Sequence, residues 1–549
     1  MIFADKKFSN PIKIIEAFDS KGLKSAFTQI EKYRKSHYLL GYIRYEAKDV
    51  FLGKAVQSDL PLLYFEVFEG YEKFSSETAV GSSMVAAVAD ISYDEYAKSL
   101  TEIKNQIALG NTYEVNYTYD YSVYSPLDGF DLYRQILFNQ KTPYNAYIKN
   151  KYEEVLCFSP ELFFTLKGNK ISTKPMKGTV KRGMTAKEDA SNIEFLQNDI
   201  KNRAENVMIV DLLRNDLGKI AKTGTVNVDK LFEIETHKTL HTMTSTISAE
   251  IQDGTTLYDI FEAIFPCGSI TGAPKISTMK IIDNVESGKR NIYCGAIGLI
   301  SPDECVFNVP IRILQKQNGQ NHYKYRVGGA IVWDSDTLDE WDETIVKMKF
   351  LDPLGSFRLV ETLLAKDGEF VYGDEHFTRM QKSAKELGFK FNQELFSIKP
   401  QKDGMVRVLL SRTGDYEIQY LPLSEPKTSK IELFAPPVDS EQKLLYHKTT
   451  YRPWYEDAMA KIKSGEVYDV IFVNEKKELT EGARTNIVLE IDGELYTPPV
   501  SCGLLNGILR QKMIDDGELQ EKILYLADLK RATNIFCINS VRGKRRVEL

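Results

Sequence analysis

Apolar residues recur at two spacings along the first third of this chain. Between Glu102 and Leu109 they follow a helical period that stops at Gly110, and from Tyr117 to Tyr124 they alternate with polar residues, which predicts a strand. Further strands are expected on either side of the loop at 172–179, and a long helical pattern covers roughly 192–221. A helix should begin at Ala273-Pro274, because proline is favoured in a first turn. Another should run from Leu338 to Lys349. Up to about Asp90 the pattern mixes strand and helix without a chemical signature. At Phe350-Leu351-Asp352-Pro353-Leu354-Gly355 it breaks and restarts with a new strand. This predicts a first domain over 1–350, a linker at 351–354 and a second domain over 355–549.

Composition narrows the function classes. Hydrophobic residues make up 43% and charged residues 27% of the 549, as in ordinary globular proteins. The formal charge of −6 gives no reason to expect nucleic-acid binding. No apolar run approaches the roughly 18 residues that a membrane-spanning helix needs. The start, Met1-Ile2-Phe3-Ala4-Asp5-Lys6-Lys7, lacks the apolar core of a secretory signal. Six cysteines without CxxC spacing suit buried thiols in a reducing cytoplasm.

Candidate chemistry starts at Lys177, in Ser172-Thr173-Lys174-Pro175-Met176-Lys177-Gly178-Thr179, with Glu161 upstream in Phe158-Ser159-Pro160-Glu161-Leu162-Phe163. An amine nucleophile facing a proton donor can displace a hydroxyl group. In isolation the same lysine reads as an exposed turn residue. Glu340, Glu343 and Lys347 share one face of their helix, and Glu205 comes from another helix. Both stretches also read as solvated charged faces, yet Mg²⁺ takes one or two protein carboxylates and completes its shell with water and substrate oxygens. Gly268-Ser269-Ile270-Thr271-Gly272 enters a helix and offers amides to a carboxylate, and Val327-Gly328-Gly329-Ala330 allows close backbone approach. Arg312, in the apolar run Val309-Pro310-Ile311-Arg312-Ile313, needs a partner, and an anionic substrate is one candidate.

Together these segments, over roughly 90–350, resemble the chorismate-utilising enzyme family. The resemblance implies that Glu161 protonates the departing C4 hydroxyl of chorismate. It also implies Glu205 and Glu343 as Mg²⁺ ligands, with Glu340 assisting through water. Tyr293 and Arg312 match positions that hold the enolpyruvyl carboxylate. Thr271, Gly328, Gly329 and Lys347 match the ring-carboxylate side, and His241 matches a histidine under the ring, although a packed core histidine remains the alternative. Branches that form anthranilate carry alanine at the position of Lys177. The aminodeoxychorismate-forming branch carries lysine, which attacks C2 so that ammonia adds at C4. That chemistry requires a neutral lysine, hence a site that lowers its pKa. Isochorismate- and salicylate-forming branches use a lysine to activate water where this chain has Glu114, and most amine-forming relatives have glutamine there. The role of Glu114 is open.

A second constellation follows in residues 355–549. It comprises Val360-Glu361-Thr362, Glu375-His376-Phe377-Thr378-Arg379, His447-Lys448-Thr449, Thr480-Glu481-Gly482, Leu505-Asn506-Gly507-Ile508 and Asn539-Ser540-Val541-Arg542. Asn506 is able to cap a helix whose amides cradle a phosphate. In this order the set resembles the class IV aminotransferase-like family of fold-type IV pyridoxal-phosphate enzymes. The resemblance implies Lys448 as the Schiff-base lysine and proton shuttle, and Glu481 as partner of the pyridinium nitrogen. Arg379 with the amides of Gly507 and Ile508 would hold the phosphate.

The expected fold is therefore α+β: layered antiparallel sheets with helices, then a two-part α+β pyridoxal-phosphate domain. The expected activity is amination of chorismate to 4-amino-4-deoxychorismate, then elimination of pyruvate to give 4-aminobenzoate for folate biosynthesis. No cysteine lies in a Gly-x-Cys-x-Gly nucleophile turn, so ammonia would come from solution or from a glutamine amidotransferase subunit. Fold-type IV relatives imply a homodimer through the second domain. Three rivals are an anthranilate-forming enzyme, a C-terminal aminotransferase of other substrate, and a non-catalytic chorismate-binding subunit.

Overall fold

Two ten-stranded sheets dominate the N-terminal part of the computed structural model, which describes residues 1–75, 84–183, 185–236, 240–348, 350–351, 356–434 and 436–549. The chain divides into two compact units, one built from 1–83 and 87–355, the other from 84–86 and 356–549. Lys349 and three residues of the expected linker, 352–354, lie outside the described residues.

In the first unit, one sheet carries near one edge Glu114–Tyr124 and Tyr323–Ile331, which pair antiparallel from Val115↔Ile331 to Val123↔Tyr323. The other sheet contains Leu162–Lys167, Lys170–Lys174, Met176–Lys181 and Leu240–Glu250. The segment before Asp90, chemically silent in sequence, supplies strands to both: Ile2–Phe3 pairs with Tyr144–Lys149, and Tyr38–Ile43 with Ala296–Ile300. A buried aromatic cluster fills the core, with Phe164 stacked on Phe307 at 4.9 Å and Phe261 edge-on to Phe307 at 5.0 Å.

Several boundaries move for local reasons. The helix expected at Glu102 runs over Tyr93–Ala108, starting at a Ser92/Glu95 capping box and burying Tyr96, Leu100 and Ile103 on one face. The expected long helix over 192–221 is two helices, Ala186–Asn198 and Ile200–Gly218, because Asp199 turns extended and caps the second through Asn202 N at 2.8 Å. Pro274 precedes the first residue of helix Lys275–Val285. Arg312 is not in a strand: its φ of +54° places it in the left-handed region just before Ile313–Gln317.

The second unit holds a four-stranded sheet, Glu369–Phe370, Leu359–Lys366, Gly404–Leu410 and Tyr416–Leu421, and two further sheets of three and five strands. Helix Gly373–Leu387 packs on Leu359–Lys366 through buried His376, Phe377, Met380, Ala384 and Leu387, and ends on left-handed Gly388. No helix among the described residues is long and apolar enough to cross a membrane. All six cysteines are free and buried.

Candidate functional site

The chain passes from one ten-stranded sheet to the other at Pro160-Glu161, between strands Glu153–Ser159 and Leu162–Lys167. Ser159 pins this crossing: its hydroxyl donates to Val309 O at 2.6 Å and accepts from Glu161 N at 3.1 Å. The Glu161 side chain is thereby held in the interior, 4% exposed, with Ser269 Oγ donating to Oε1 at 2.7 Å. Burial pushes the carboxyl up to about 7, against the pull of the Ser269 hydroxyl and the Lys177 charge. A carboxyl balanced there is suited to donate a proton near neutral pH.

Lys177, on strand Met176–Lys181, reaches across to Glu114 at the start of strand Glu114–Tyr124, with Nζ to Oε1 at 3.1 Å. The ion pair joins the two sheets, and Glu114 is 1% exposed. Burial by itself pulls the lysine down, but the negative charges of Glu114, Glu205 and Glu161 outweigh it and hold the amine above its usual value. The lysine therefore rests as an ammonium, opposite to the lowered state that its expected chemistry requires. Lys177 and Glu161 interact through charge rather than through a described hydrogen bond.

An acidic wall stands nearby. Helix Thr337–Met348 docks through its apolar face, with Trp341 stacked on Tyr119 at 5.4 Å and Thr344 Oγ1 2.6 Å from Tyr119 Oη. This turns Glu340 and Glu343 toward Gly329, where an added Cβ would lie 3.2 Å from Glu340 Oε2 and 3.5 Å from Glu343 Oε1. Gly328 serves the sheet instead, since a Cβ there would meet Tyr117 O at 1.9 Å. Lys347 donates to Gly328 O at 2.5 Å and pairs with Glu343 at 2.7 Å, while Ser335 Oγ donates to Glu340 at 2.7 Å. Burial, then the like charges of Glu114 and Glu343, raise Glu205 on helix Ile200–Gly218. Burial and Glu343 raise Glu340. Among the described residues no three His, Cys, Asp or Glu side chains form a ready metal cage. A pair of mutually repelling carboxylates, Glu205 and Glu343, nonetheless fits a cation that keeps water and substrate in its shell.

The remaining sequence candidates are held by the protein itself. His241 is fully buried, with Nε2 2.9 Å from Asp189 Oδ1 and Nδ1 2.9 Å from Thr236 Oγ1. Thr271 Oγ1 donates to Gly268 O at 3.2 Å and so closes its own turn. Arg312 lies over the Phe350 ring at 5.5 Å and is lowered by burial. Tyr293 lines a cavity of about 180 Å³ with Asp120, Arg290, Gln315 and Arg326. No described hydrogen bond or ion pair joins Tyr293 or Arg312 to the Glu161–Lys177–Glu114 cluster. Ser269 belongs to a segment singled out for its amides, but it is the hydroxyl that reaches Glu161.

The second unit has its own buried constellation. Lys448 Nζ lies 3.9 Å from Glu361 Oε2. Burial pulls this amine down to about 8 while Glu361 pulls it up and Arg379 and Arg452 push it down. Unlike Lys177, it is tuned toward the neutral nucleophile. Glu361 is also gripped by Arg379, at 2.9 Å to Nε and 2.7 Å to Nη2, and lies 2.6 Å from His376 Nδ1. Four groups are thus tied together, and Glu361, unassigned in the sequence reading, is the centre. Arg379 Nη1 donates to Asn506 O at 2.8 Å, next to helix Ile508–Asp515. That helix is preceded by Gly507, where a Cβ would meet Asn486 Oδ1 at 2.0 Å. Asn506 does not cap it: its side chain donates to Gln511 Oε1 and accepts from Arg510 Nη1, both at 2.8 Å. Glu481 is 4% exposed, accepts from Tyr455 Oη at 2.9 Å and from Asn486 Nδ2 at 3.3 Å, and is pushed up to about 7 by burial against the opposing charge of Arg452.

Comparison with known proteins agrees with this division. Residues 8–353 match the family model described as chorismate binding enzyme, and residues 358–549 match that of amino-transferase class IV. The aminodeoxychorismate synthase of Streptomyces griseus is 40% identical over 256 residues, 46% of this chain and 35% of its own. Aminodeoxychorismate synthase component 1 of Klebsiella aerogenes is 37% identical over 261 residues, 47% of this chain and 57% of its own. The chain thus spans between a third and three fifths of the length of these curated relatives. The crystal structure of anthranilate synthase component I from Streptococcus pneumoniae superposes with a TM-score of 0.55 at 22% identity, covering 64% of this chain and 93% of that one, and so shares the fold.

Proposed function

We propose that this chain, which belongs to the chorismate binding enzyme family, aminates chorismate to 4-amino-4-deoxychorismate in its first unit and removes pyruvate from that product in its second, giving 4-aminobenzoate. The observation that carries the first half is that Lys177, largely shielded from solvent, is ion-paired to Glu114 and acts through charge on the buried carboxyl of Glu161. Its amine forms a bond to C2, the ring π electrons shift, and the C4–O bond breaks as Glu161 delivers a proton to the departing water. Ammonia then bonds to C4 and the lysine leaves C2. Glu205 and Glu343 would hold Mg²⁺, with Glu340 reaching it through water; the ion would supply positive charge for the ring carboxylate. Lys347 and the Gly329 backbone would face the ring carboxylate, and by family resemblance Tyr293 and Arg312 would take the enolpyruvyl carboxylate, with Thr271 and His241 as further substrate-side residues.

In the second unit, Lys448 would bind pyridoxal phosphate and move the proton from the substituted ring carbon. Glu481 would face the ring nitrogen, while Arg379, Gly507 and Ile508 take the phosphate. The cofactor, when bound, supplies an electron sink. The ammonia source is a separate glutamine amidotransferase subunit, consistent with the component 1 naming of the Klebsiella relative. The setting is the cytoplasm and the pathway is folate biosynthesis, with a homodimer through the second unit.

Lys177→Ala tests the first half. The expected result is loss of aminodeoxychorismate with fold and chorismate binding retained. Undiminished aminodeoxychorismate formation from the variant would overturn the nucleophile assignment.

A further inference from the structure

The lysine on which the proposed amination rests is stored in its unreactive form, so the site must contain a group that takes its proton. Lys177 Nζ has one described hydrogen-bond partner, Glu114 Oε1 at 3.1 Å. The other oxygen of that carboxylate, Oε2, is buried and has no hydrogen-bond partner. Oε1 thus faces the amine and is the oxygen that would take its proton, while no other protein donor engages the carboxylate at Oε2. The other acids that act on the lysine are worse placed: Glu161 already receives the Ser269 hydroxyl, and Glu205, on helix Ile200–Gly218, acts through charge alone.

We propose that Glu114 is the proton partner of Lys177, anchoring its ammonium in the resting site and taking its proton as the amine attacks. The step balances within the pair: Nζ–H passes to the carboxylate, leaving an amine lone pair to form the bond to C2 and a neutral carboxylic acid beside it. When the amine is expelled from C2 as the C4–N bond forms, the acid returns the proton. The transfer changes no net charge, so attack does not wait for solvent to remove a proton. Glutamine at this position would remove the largest charge that holds the amine up and also its proton acceptor, so the lysine would give its proton to water.

This inference rests on the amination reading and is tested together with it. The full chain and its Glu114→Gln and Glu114→Asp variants are assayed for aminodeoxychorismate with chorismate, Mg²⁺ and saturating ammonium from about pH 6 to 9, each variant rate divided by the parent rate. The division cancels the limb set by Glu161. For Glu114→Gln the ratio is expected to start at about 10⁻² or below, the usual worth of a positioned base, and to rise up to about tenfold per pH unit as solvent takes over. For Glu114→Asp it should stay flat. A parent that aminates chorismate while the glutamine ratio stays flat overturns the role of Glu114 alone. A parent that forms no aminodeoxychorismate overturns the amination reading and this inference with it. Combining Glu114→Gln with Lys177→Ala should cost no more than Lys177→Ala by itself, since Glu114 acts through the lysine; an additive loss overturns the proposal.

Discussion

Replacing Glu161 by glutamine should remove most of the enzyme's activity and make its first unit more stable, increasingly so as pH rises from about 4.5 to about 7. The carboxyl is carried from an ordinary value near 4.5 to about 7 because burial disfavours its charge. The folded state therefore binds this proton more tightly than the unfolded chain does. That contribution to stability is fully present below about pH 4.5 and is lost progressively as pH rises through about 7. Well above pH 7 the lost stability amounts to roughly 3 kcal/mol. Glutamine has nothing to lose, keeps an oxygen for the Ser269 hydroxyl, and occupies nearly the same volume. By the entropy of unfolding expected for a unit of this size, about 3 kcal/mol raises Tm by about 4 °C. Thermal unfolding of parent and variant at about pH 4 and pH 8.5 would show nearly coincident transitions at the lower pH and a more stable variant at the higher. Turnover should fall by about 10²–10⁴ as the proton donor is lost. A variant less stable than its parent at pH 8.5, or equally active, would refute the argument that burial serves the chemistry at a cost to the fold.

Lys448→Ala should abolish pyridoxal-phosphate absorbance and 4-aminobenzoate formation while aminodeoxychorismate still accumulates, which absorbance and product chromatography would show together. Glu361→Gln leaves Arg379 and His376 with weaker partners; affinity for pyridoxal phosphate should fall by about tenfold or more, measured by cofactor titration, if Arg379 takes the phosphate as proposed. Gly328→Ala should destabilise the first unit by about 1–3 kcal/mol or more, since its Cβ meets the neighbouring strand at 1.9 Å. Gly329→Ala should fold normally and weaken chorismate binding, because its Cβ enters the space before Glu340 and Glu343; chemical denaturation and substrate titration separate the two.

The sequence reading was strongest where chemistry needs fixed spacing. It identified a chorismate-utilising first part and a class IV second part, and both family comparisons match; the partner it gave Lys177, Glu161, is replaced in the structure by Glu114. It was weakest where tertiary partners decide. The pattern before Asp90 carries no chemistry because its strands complete both sheets and their core. The capping box at Ser92 was readable as Ser-x-x-Glu and would have moved the helix start to its observed place. Asp199 likewise carried a cap signal within what looked like one long helix. The protonation of Lys177 was not readable, since it depends on Glu114 and Glu205 arriving from elements remote in sequence. Glu361 stood in a motif, but its grip on His376, Arg379 and Lys448 required the fold.

The most direct measurement of the central claim is product analysis of the purified chain given chorismate, Mg²⁺ and ammonium, with and without pyridoxal phosphate. The account predicts 4-aminobenzoate and pyruvate only when the cofactor is present, and accumulation of aminodeoxychorismate when it is absent. Anthranilate as the main product would contradict the role of Lys177, and aminodeoxychorismate persisting at saturating cofactor would contradict the lyase assignment of the second unit.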